Sequence, residues 1–477
     1  MIESTTVMKF LWSKGRSLSF LFILMFGIIC LLNINYAILR SARNALTVTD
    51  LGGGASAIPW FELCGTMPGA VLMTFGLTWL INRFSIRRVF LIATLSFVGF
   101  FLCFSFFVYP HLGSIGNWVA GALWLPGNAW LSTLLPKFIS MIFFVMAELW
   151  KIALIAVLFW GFVNQYIPIE SAKKYYAPLM LGGSIGTIVA GPLISFCTSD
   201  LISNKSWGQS LNVMMLLLTV VSALAIWLFF LLFRLFRKDL SAQQVEETKN
   251  EPLSVRESFQ ICLKSPFLTL LAWITIADYV AYTLGEVIFL DVLKQKFPDP
   301  RQYCDFMGKL SFWNGLLTAV SALFITPWVL RRFRWVAASL VTPICLLVTQ
   351  LGFFLVLWHP VFSEQIDLLV LFGSLLFVIV RTVKYTLFDT SKEISFLLLP
   401  PLEKMQGKLI IDGMCARLGK GGASMFSLIL IQACGGVLAS APLAGSIALA
   451  IASSCVFATL RLGALVDKRY RKSDSAT

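Results

Sequence analysis

The chain has 477 residues, 58% of them hydrophobic and 13% charged, with a mean hydropathy of +0.82. That balance excludes a soluble globular protein and points to a polytopic helical membrane protein, and the absence of porin-type alternation excludes a transmembrane barrel. The formal net charge of +14 sits mostly in short segments between apolar runs, where basic residues set orientation, so no nucleic-acid partner is expected.

The ten cysteines, scattered from Cys30 to Cys455, form no CxxC pair, and the only histidines are His111 and His359. They read as small apolar helix residues rather than as a metal site or a disulfide frame, and no cofactor or metal is expected.

About twelve apolar spans follow in order, with approximate cores at 19–39, 59–81, 89–109, 138–166, 176–196, 211–236, 266–293, 306–330, 335–358, 367–390, 408–438 and 443–464. Each suits a membrane helix, which needs about 20 apolar residues. Lys9, Lys14 and Arg16 precede the first span and Arg40 and Arg43 follow its core without a small-residue cleavage site, so it reads as an uncleaved first helix.

The connecting segments alternate in charge. One set carries Arg83, Arg87 and Arg88, then Lys173 and Lys174, Arg237, Lys238, Lys249 and Arg256, Arg331, Arg332 and Arg334, then Lys392 and Lys404, and finally the tail from Lys468 to Lys472. Residues 110–136, 359–366 and 439–442 hold no Lys or Arg. The positive-inside rule then puts both termini in the cytoplasm. Lys294, Lys296 and Arg301 are the outer exception, suited to guiding an anion.

The longest polar stretch, 237–264, separates two groups of six spans, giving 1–236, a cytoplasmic linker and 265–477. An internal repeat agrees: WLINRF (79–84) follows the second span and WVLRRF (328–333) follows the eighth. Two parallel six-helix repeats of this kind resemble the major-facilitator plan, and the expected fold class is an all-α protein of twelve transmembrane helices.

Charges inside the spans concentrate on a few helices. Arg40 and Arg43 lie on the first, Glu62 on the second, Glu148 and Lys151 on the fourth, and Asp278, Glu286 and Asp291 on the seventh. Arg381, Lys384 and Asp389 lie on the tenth, and Asp412, Arg417 and Lys420 on the eleventh. A charge facing lipid costs roughly 2.5–3.5 kcal/mol on insertion scales, so more than a dozen demand a water-filled pathway. Its richness in Arg and Lys implies a polyanionic substrate.

Several stretches together resemble the ATP/ADP translocase family of plastids and obligate intracellular bacteria. They are YAILRSARNALTVT (36–49), AELW with LFWGFVNQY (147–166), GEVIFLDVLKQKFPDPRQYCDFMG (285–308), KYTLFDTSKE (384–393) and GKLIIDGMCARLGKGG (407–422). The resemblance implies a nucleotide substrate and places the family's four functional charges on Arg43, Glu148, Glu286 and Lys420, and a further motif on Tyr385–Asp389. Together with the other cations sorted onto the spans, these give an expected substrate-binding set of Arg40, Arg43, Glu148, Lys151, Glu286, Arg381, Lys384, Tyr385, Asp389, Arg417 and Lys420. Glu62, Glu148 and Glu286 would serve coupling or as counter-charges. The family's R-D-T-K-D motif is replaced here by Arg40–Asn44 (RSARN), and a Lys after Ile58-Pro59 by Glu62, so strict ATP/ADP exchange is not implied. With Glu62 available to neutralise cations, the balance leans slightly towards net import, with or without proton coupling.

Blander readings stand beside these. Arg40 and Arg43 are placed to snorkel at an interface, and Glu148 and Lys151, three residues apart, to neutralise each other. The Arg417–Gly422 run is not a phosphate loop of the Walker type, since no Ser or Thr follows its Lys; its glycines are expected to break the eleventh helix. Tyr279, Tyr282, Tyr385 and Phe388 are candidates for a base clamp, though each alone reads more readily as core. The single PIESAK (168–173) does not make a mitochondrial-type carrier, which needs three such copies. The expectation is a monomeric, multi-pass secondary transporter of nucleotides in a bacterial cytoplasmic membrane, working by exchange or proton-coupled import. A carrier of another phosphorylated anion, such as a dinucleotide, is the alternative, ahead of a membrane enzyme acting on phosphorylated substrates.

Overall fold

The structure, a computed structural model, describes residues 2–51, 53–112, 114–115, 129–166, 169–203, 206–236 and 264–474. The expected linker 237–264 lies outside the described residues apart from Lys264. Among the described residues there is no strand, and twelve helices are long and apolar enough to cross a membrane. They are α1 (Phe20–Asp50), α2 (Ala57–Arg83), α3 (Ile86–Val108), α4 (Leu135–Asn164), α5 (Pro178–Thr198) and α6 (Trp207–Leu235). The second six are α7 (Pro266–Lys296), α8 (Pro300–Arg332), α9 (Trp335–Trp358), α10 (Ile366–Leu397), α11 (Gln406–Cys434) and α12 (Ala441–Arg469).

Among the helices that outrun their apolar cores, two do so through charges of the expected pathway. α1 continues through Arg40 and Arg43 to Asp50, and α10 continues through Lys392 to Leu397, so Lys392 is a helix residue rather than a loop charge. The reason is that a helix satisfies its backbone hydrogen bonds internally whatever its side chains are. Hydropathy falls at a charge; the helix need not. The basic junctions after α2 and α8 are exposed, with Arg83, Arg87, Arg88, Arg331, Arg332 and Arg334 all at the surface.

Among the described residues, seven stretches within or at the ends of these helices are wound as π-helix, a conformation that is rare and frequent at functional sites. Five touch the charged stretches: Leu46–Asp50 just after Arg43, Phe61–Thr66 containing Glu62, Lys151–Phe159, Lys384–Phe388, and Leu409–Cys415 containing Asp412.

The chain gathers into two compact units. The first comprises Met1–Arg43, Gly69–Thr248 and Cys304–Gly315. Its core is aromatic: Phe90 stacks on Phe229 at 4.2 Å, Phe101 meets Phe143 edge-on at 5.2 Å, and Trp150, wholly buried, packs against Phe97 at 5.7 Å. Polar ties fix α1 in it, since Asn35 donates to Ser222 on α6 at 2.9 Å and the Trp150 indole donates to the Leu32 carbonyl at 3.3 Å. α5 and the start of α8 cross at glycines: a Cβ on Gly191 would stand 2.6 Å from Phe312 Cβ, and one on Gly315 2.8 Å from the Ser184 carbonyl oxygen. Small residues allow such close membrane crossings.

The second unit comprises Asn44–Pro68, Lys249–Tyr303 and Leu316–Thr477. α7 is its hub, packed against α10, α11 and α12. Phe267, Leu268, Leu271, Phe396, Ile410, Ile411 and Leu462 form one buried cluster there. Gln350 of α9, fully buried, donates to the Ala281 carbonyl at 2.6 Å and so pins α9 to α7.

Candidate functional site

In the first unit the site charges come from α1 and α4. Arg43 reaches Glu148 at 2.5 Å with both side chains 8% exposed, and its guanidinium lies over the Phe144 ring, 4.2 Å from the centroid. Tyr36, two turns before Arg43 on α1, donates its hydroxyl to Glu148 at 3.2 Å. Lys151 stands over the Tyr36 ring at 5.3 Å. Glu148 thus serves a cation from another helix, and Lys151 takes an aromatic seat. An ion pair this buried is held by geometry: removing one partner leaves an uncompensated charge and costs about 3–5 kcal/mol. Arg40 is half-buried one turn earlier.

The second unit carries three related groups. Arg381 on α10 binds Glu286 on α7 at 2.6 Å, donates from Nε to the Tyr282 hydroxyl at 2.5 Å, and lies 4.1 Å over Phe377. One turn on, Lys384 meets Asp278 at 3.0 Å and sits 3.3 Å over the Tyr279 ring. Lys420 on α11 pairs with Glu62 at the start of α2 at 2.9 Å; Glu62 is 8% exposed and Lys420 41%.

Towards the end of α10, Lys392 bridges Asp412 at 2.6 Å and Asp389 at 3.5 Å, linking α10 to α11. Tyr385 is exposed, and Arg417 is exposed without an ion pair among the described residues. Of the cations expected on the outer side, Lys296 pairs with Asp367 and Arg301 with Asp299.

The glycines after Arg417 do not break α11, which is regular α-helix from Ala416 to Cys434. Gly419 lets it lie close to α7: a Cβ there would stand 3.0 Å from Tyr279 Cβ and 3.2 Å from Ile276 Cα. Irregularity falls instead on the preceding π-helical turn, Leu409–Cys415.

Sequence reasoning passed over Tyr36, the first residue of the YAILR stretch, and left Asp278 and Lys392 out of the site. A signal existed for Tyr36, which stands seven residues before Arg43 and therefore on the same face. None existed for the pairing of Asp278 with Lys384, 106 residues apart.

The chemistry is uniform across both units. Among the described residues, four cations of the candidate set are held by carboxylates and three of them by aromatic rings as well, an arrangement able to exchange a carboxylate for another oxyanion. A profile of the TLC ATP/ADP transporter family matches residues 2–465. The chain belongs to that family. It is 31% identical over 440 residues to "ADP,ATP carrier protein 1" of Chlamydia trachomatis serovar D, covering 88% of this chain and 83% of that protein. It is 30% identical over 458 residues to "ADP,ATP carrier protein 2, chloroplastic" of Arabidopsis thaliana, covering 91% of this chain and 72% of the relative. Among solved structures, a POT family transporter in complex with a thioalcohol-conjugated peptide matches with a TM-score of 0.59 at 12% identity, over 92% of this chain and 96% of that one. A mutant form of the nucleoside transporter NupG matches with a TM-score of 0.56 at 14% identity, over 93% and 99%. At such identities the likeness shows the fold alone, a twelve-helix, major-facilitator-like plan. Family membership makes the chain a membrane transporter, not an enzyme.

Proposed function

We propose that this chain carries nucleotides of the ATP/ADP type across a bacterial cytoplasmic membrane by alternating access, exchanging one for another. It acts as a monomer of two six-helix halves, 1–236 and 265–477, with both termini in the cytoplasm. Arg43, Arg381, Lys384 and Lys420 bind phosphate oxygens, and Arg40, Lys151 and Arg417 add positive potential. Glu148, Glu286, Asp278 and Glu62 are the counter-charges that hold these cations between substrates. Tyr385 and Asp389 complete the substrate set. The observation that carries the reading is the pairing itself: Arg43 with Glu148, Arg381 with Glu286, Lys384 with Asp278 and Lys420 with Glu62. A carboxylate and a phosphate oxygen compete for the same guanidinium fork or ammonium, so one can take the place of the other. The family and the carriers it includes supply the nucleotide.

One observation favours a second reading, net import coupled to protons. Lys420 is already neutralised by Glu62, and a paired cation is less costly to desolvate while an unloaded carrier reorients. Proteoliposomes distinguish the two. With labelled ATP outside, uptake should depend on ADP trapped inside. Uptake into vesicles lacking nucleotide, abolished by a protonophore, would replace exchange with import. Absence of uptake under both conditions would remove the nucleotide reading and leave another phosphorylated anion.

A further inference from the structure

The two units contain the same five-position arrangement. On α1, Tyr36 and Arg43 are seven residues apart; on α7, Tyr279 and Glu286 are seven apart. On α4 the series is Phe144, Glu148, Lys151, and on α10 it is Phe377, Arg381, Lys384, with identical spacings of four and three. A π-helical stretch begins at the lysine in both, at Lys151 and at Lys384. The contacts repeat as well. In each unit an arginine meets a glutamate across the two helices, at 2.5 Å and 2.6 Å. In each the guanidinium lies over the phenylalanine, at 4.2 Å and 4.1 Å. In each the lysine stands over the tyrosine, at 5.3 Å and 3.3 Å.

The direction of the ion pair differs between the copies. In the first, the arginine is on α1 and the glutamate on α4; in the second, the glutamate is on α7 and the arginine on α10. The ion pair has been turned round while its place, its phenylalanine and the tyrosine–lysine contact were kept. What a repeat keeps without change is what the arrangement cannot do without. A turned pair shows that either polarity satisfies the helix contact, whereas a lysine on the same helix, at the same step, over the same tyrosine, shows that its position is held. A cation over an aromatic face is stabilised by the ring quadrupole without its charge being cancelled. An ammonium held this way is oriented while keeping its charge for an anionic partner, which for Lys384 is Asp278 at 3.0 Å.

We propose that Tyr36 and Tyr279 are repeat-related positioning residues, holding Lys151 and Lys384 as the lysines that set affinity for the phosphate end of the nucleotide. This deepens the nucleotide reading and rests on it. The hydroxyl is used differently in the two copies. Tyr36 serves Lys151 with its ring and Glu148 with its hydroxyl. In the other unit the tasks are divided, Tyr279 giving Lys384 its ring and Tyr282 giving Arg381 its hydroxyl. Phenylalanine therefore substitutes well at 279 and poorly at 36.

Labelled-ATP uptake in proteoliposomes, with KM and maximal rate separated and the amount of carrier normalised, tests this for Tyr36→Leu, Tyr36→Phe, Tyr279→Leu and Tyr279→Phe. The leucine variants should raise KM about tenfold, the loss of one desolvated cation–π contact, with a smaller change in maximal rate. Tyr279→Phe should recover most of that loss and Tyr36→Phe less than half of it. A tyrosine that only fills space would lower the amount of folded carrier and leave KM alone. If a leucine variant does not reach the membrane, the phenylalanine pair decides by itself: KM higher for Tyr36→Phe than for Tyr279→Phe is expected, and equal values overturn the assignment. Wild-type KM in the leucine variants also overturns it. A wild-type carrier that takes up no nucleotide overturns instead the reading on which the assignment stands.

Discussion

Arg43 and Lys420 belong to the same proposed phosphate-binding set, but their surroundings predict different sensitivities. Arg43 and Glu148 are both nearly inaccessible, whereas Lys420 is 41% exposed beside a buried Glu62. Truncating one partner of a buried, hydrogen-bonded pair costs about 2–5 kcal/mol of binding, so Arg43→Ala should weaken the apparent affinity for ATP by about 30-fold or more. Lys420→Ala should weaken it less, since solvent screens an exposed charge; competition curves on uptake measure both. If neither variant changes the affinity, the phosphates are bound elsewhere. Glu148 offers a sharper comparison. Its partner is Arg43 on another helix and the Tyr36 hydroxyl, so Glu148→Gln should impair transport by leaving Arg43 uncompensated. Adding Lys151→Met cannot repair that. The double variant should be at least as defective as the single one at equal amounts in the membrane, and restored transport would make Lys151 the partner that matters.

Helices meet at the closest distances where glycine removes the Cβ. Gly191 and Gly315 place α5 and α8 in backbone contact, and there a methyl group has no flexible neighbour to push aside. Gly191→Ala and Gly315→Ala should each destabilise the carrier by about 1–3 kcal/mol, the usual cost of overpacking. Gly76 and Gly99, with nothing within 4 Å of an added Cβ, should accept alanine with no loss, or with a gain of up to about 1 kcal/mol from the better helix former. Thermal unfolding in detergent ranks the four, and equal shifts would contradict the packing assigned to α5 and α8. The π-helical stretches belong to this scale too. Two of them begin at Lys151 and Lys384, while the glycines of the Arg417–Gly422 run lie in regular α-helix.

For the molecule as a whole, the exposed arginines at 83, 87, 88, 331, 332 and 334 and the basic tail predict one orientation. Protease-sensitive tags at the N- and C-termini should be cut from the cytoplasmic side only, because basic segments are retained there; cutting of either from outside would reverse the topology. Twelve spans, their order, the repeat of WLINRF by WVLRRF and the concentration of charge on α1, α4, α7, α10 and α11 were all legible in the residues. Insertion of a span depends on a local sum of side-chain transfer energies, and a local sum can be read along the chain. The family, too, was legible, because its motifs are contiguous. The tertiary structure alone decided that Glu148 meets Arg43 across 105 residues, that Glu286 meets Arg381 and Asp278 meets Lys384, and that Lys392 belongs to a helix. It alone decided that Tyr36 and Tyr279 hold equivalent lysines. Those outcomes depend on the rotation of each helix about its axis and on which neighbour it packs against, and two charges far apart in sequence carry no local record of either.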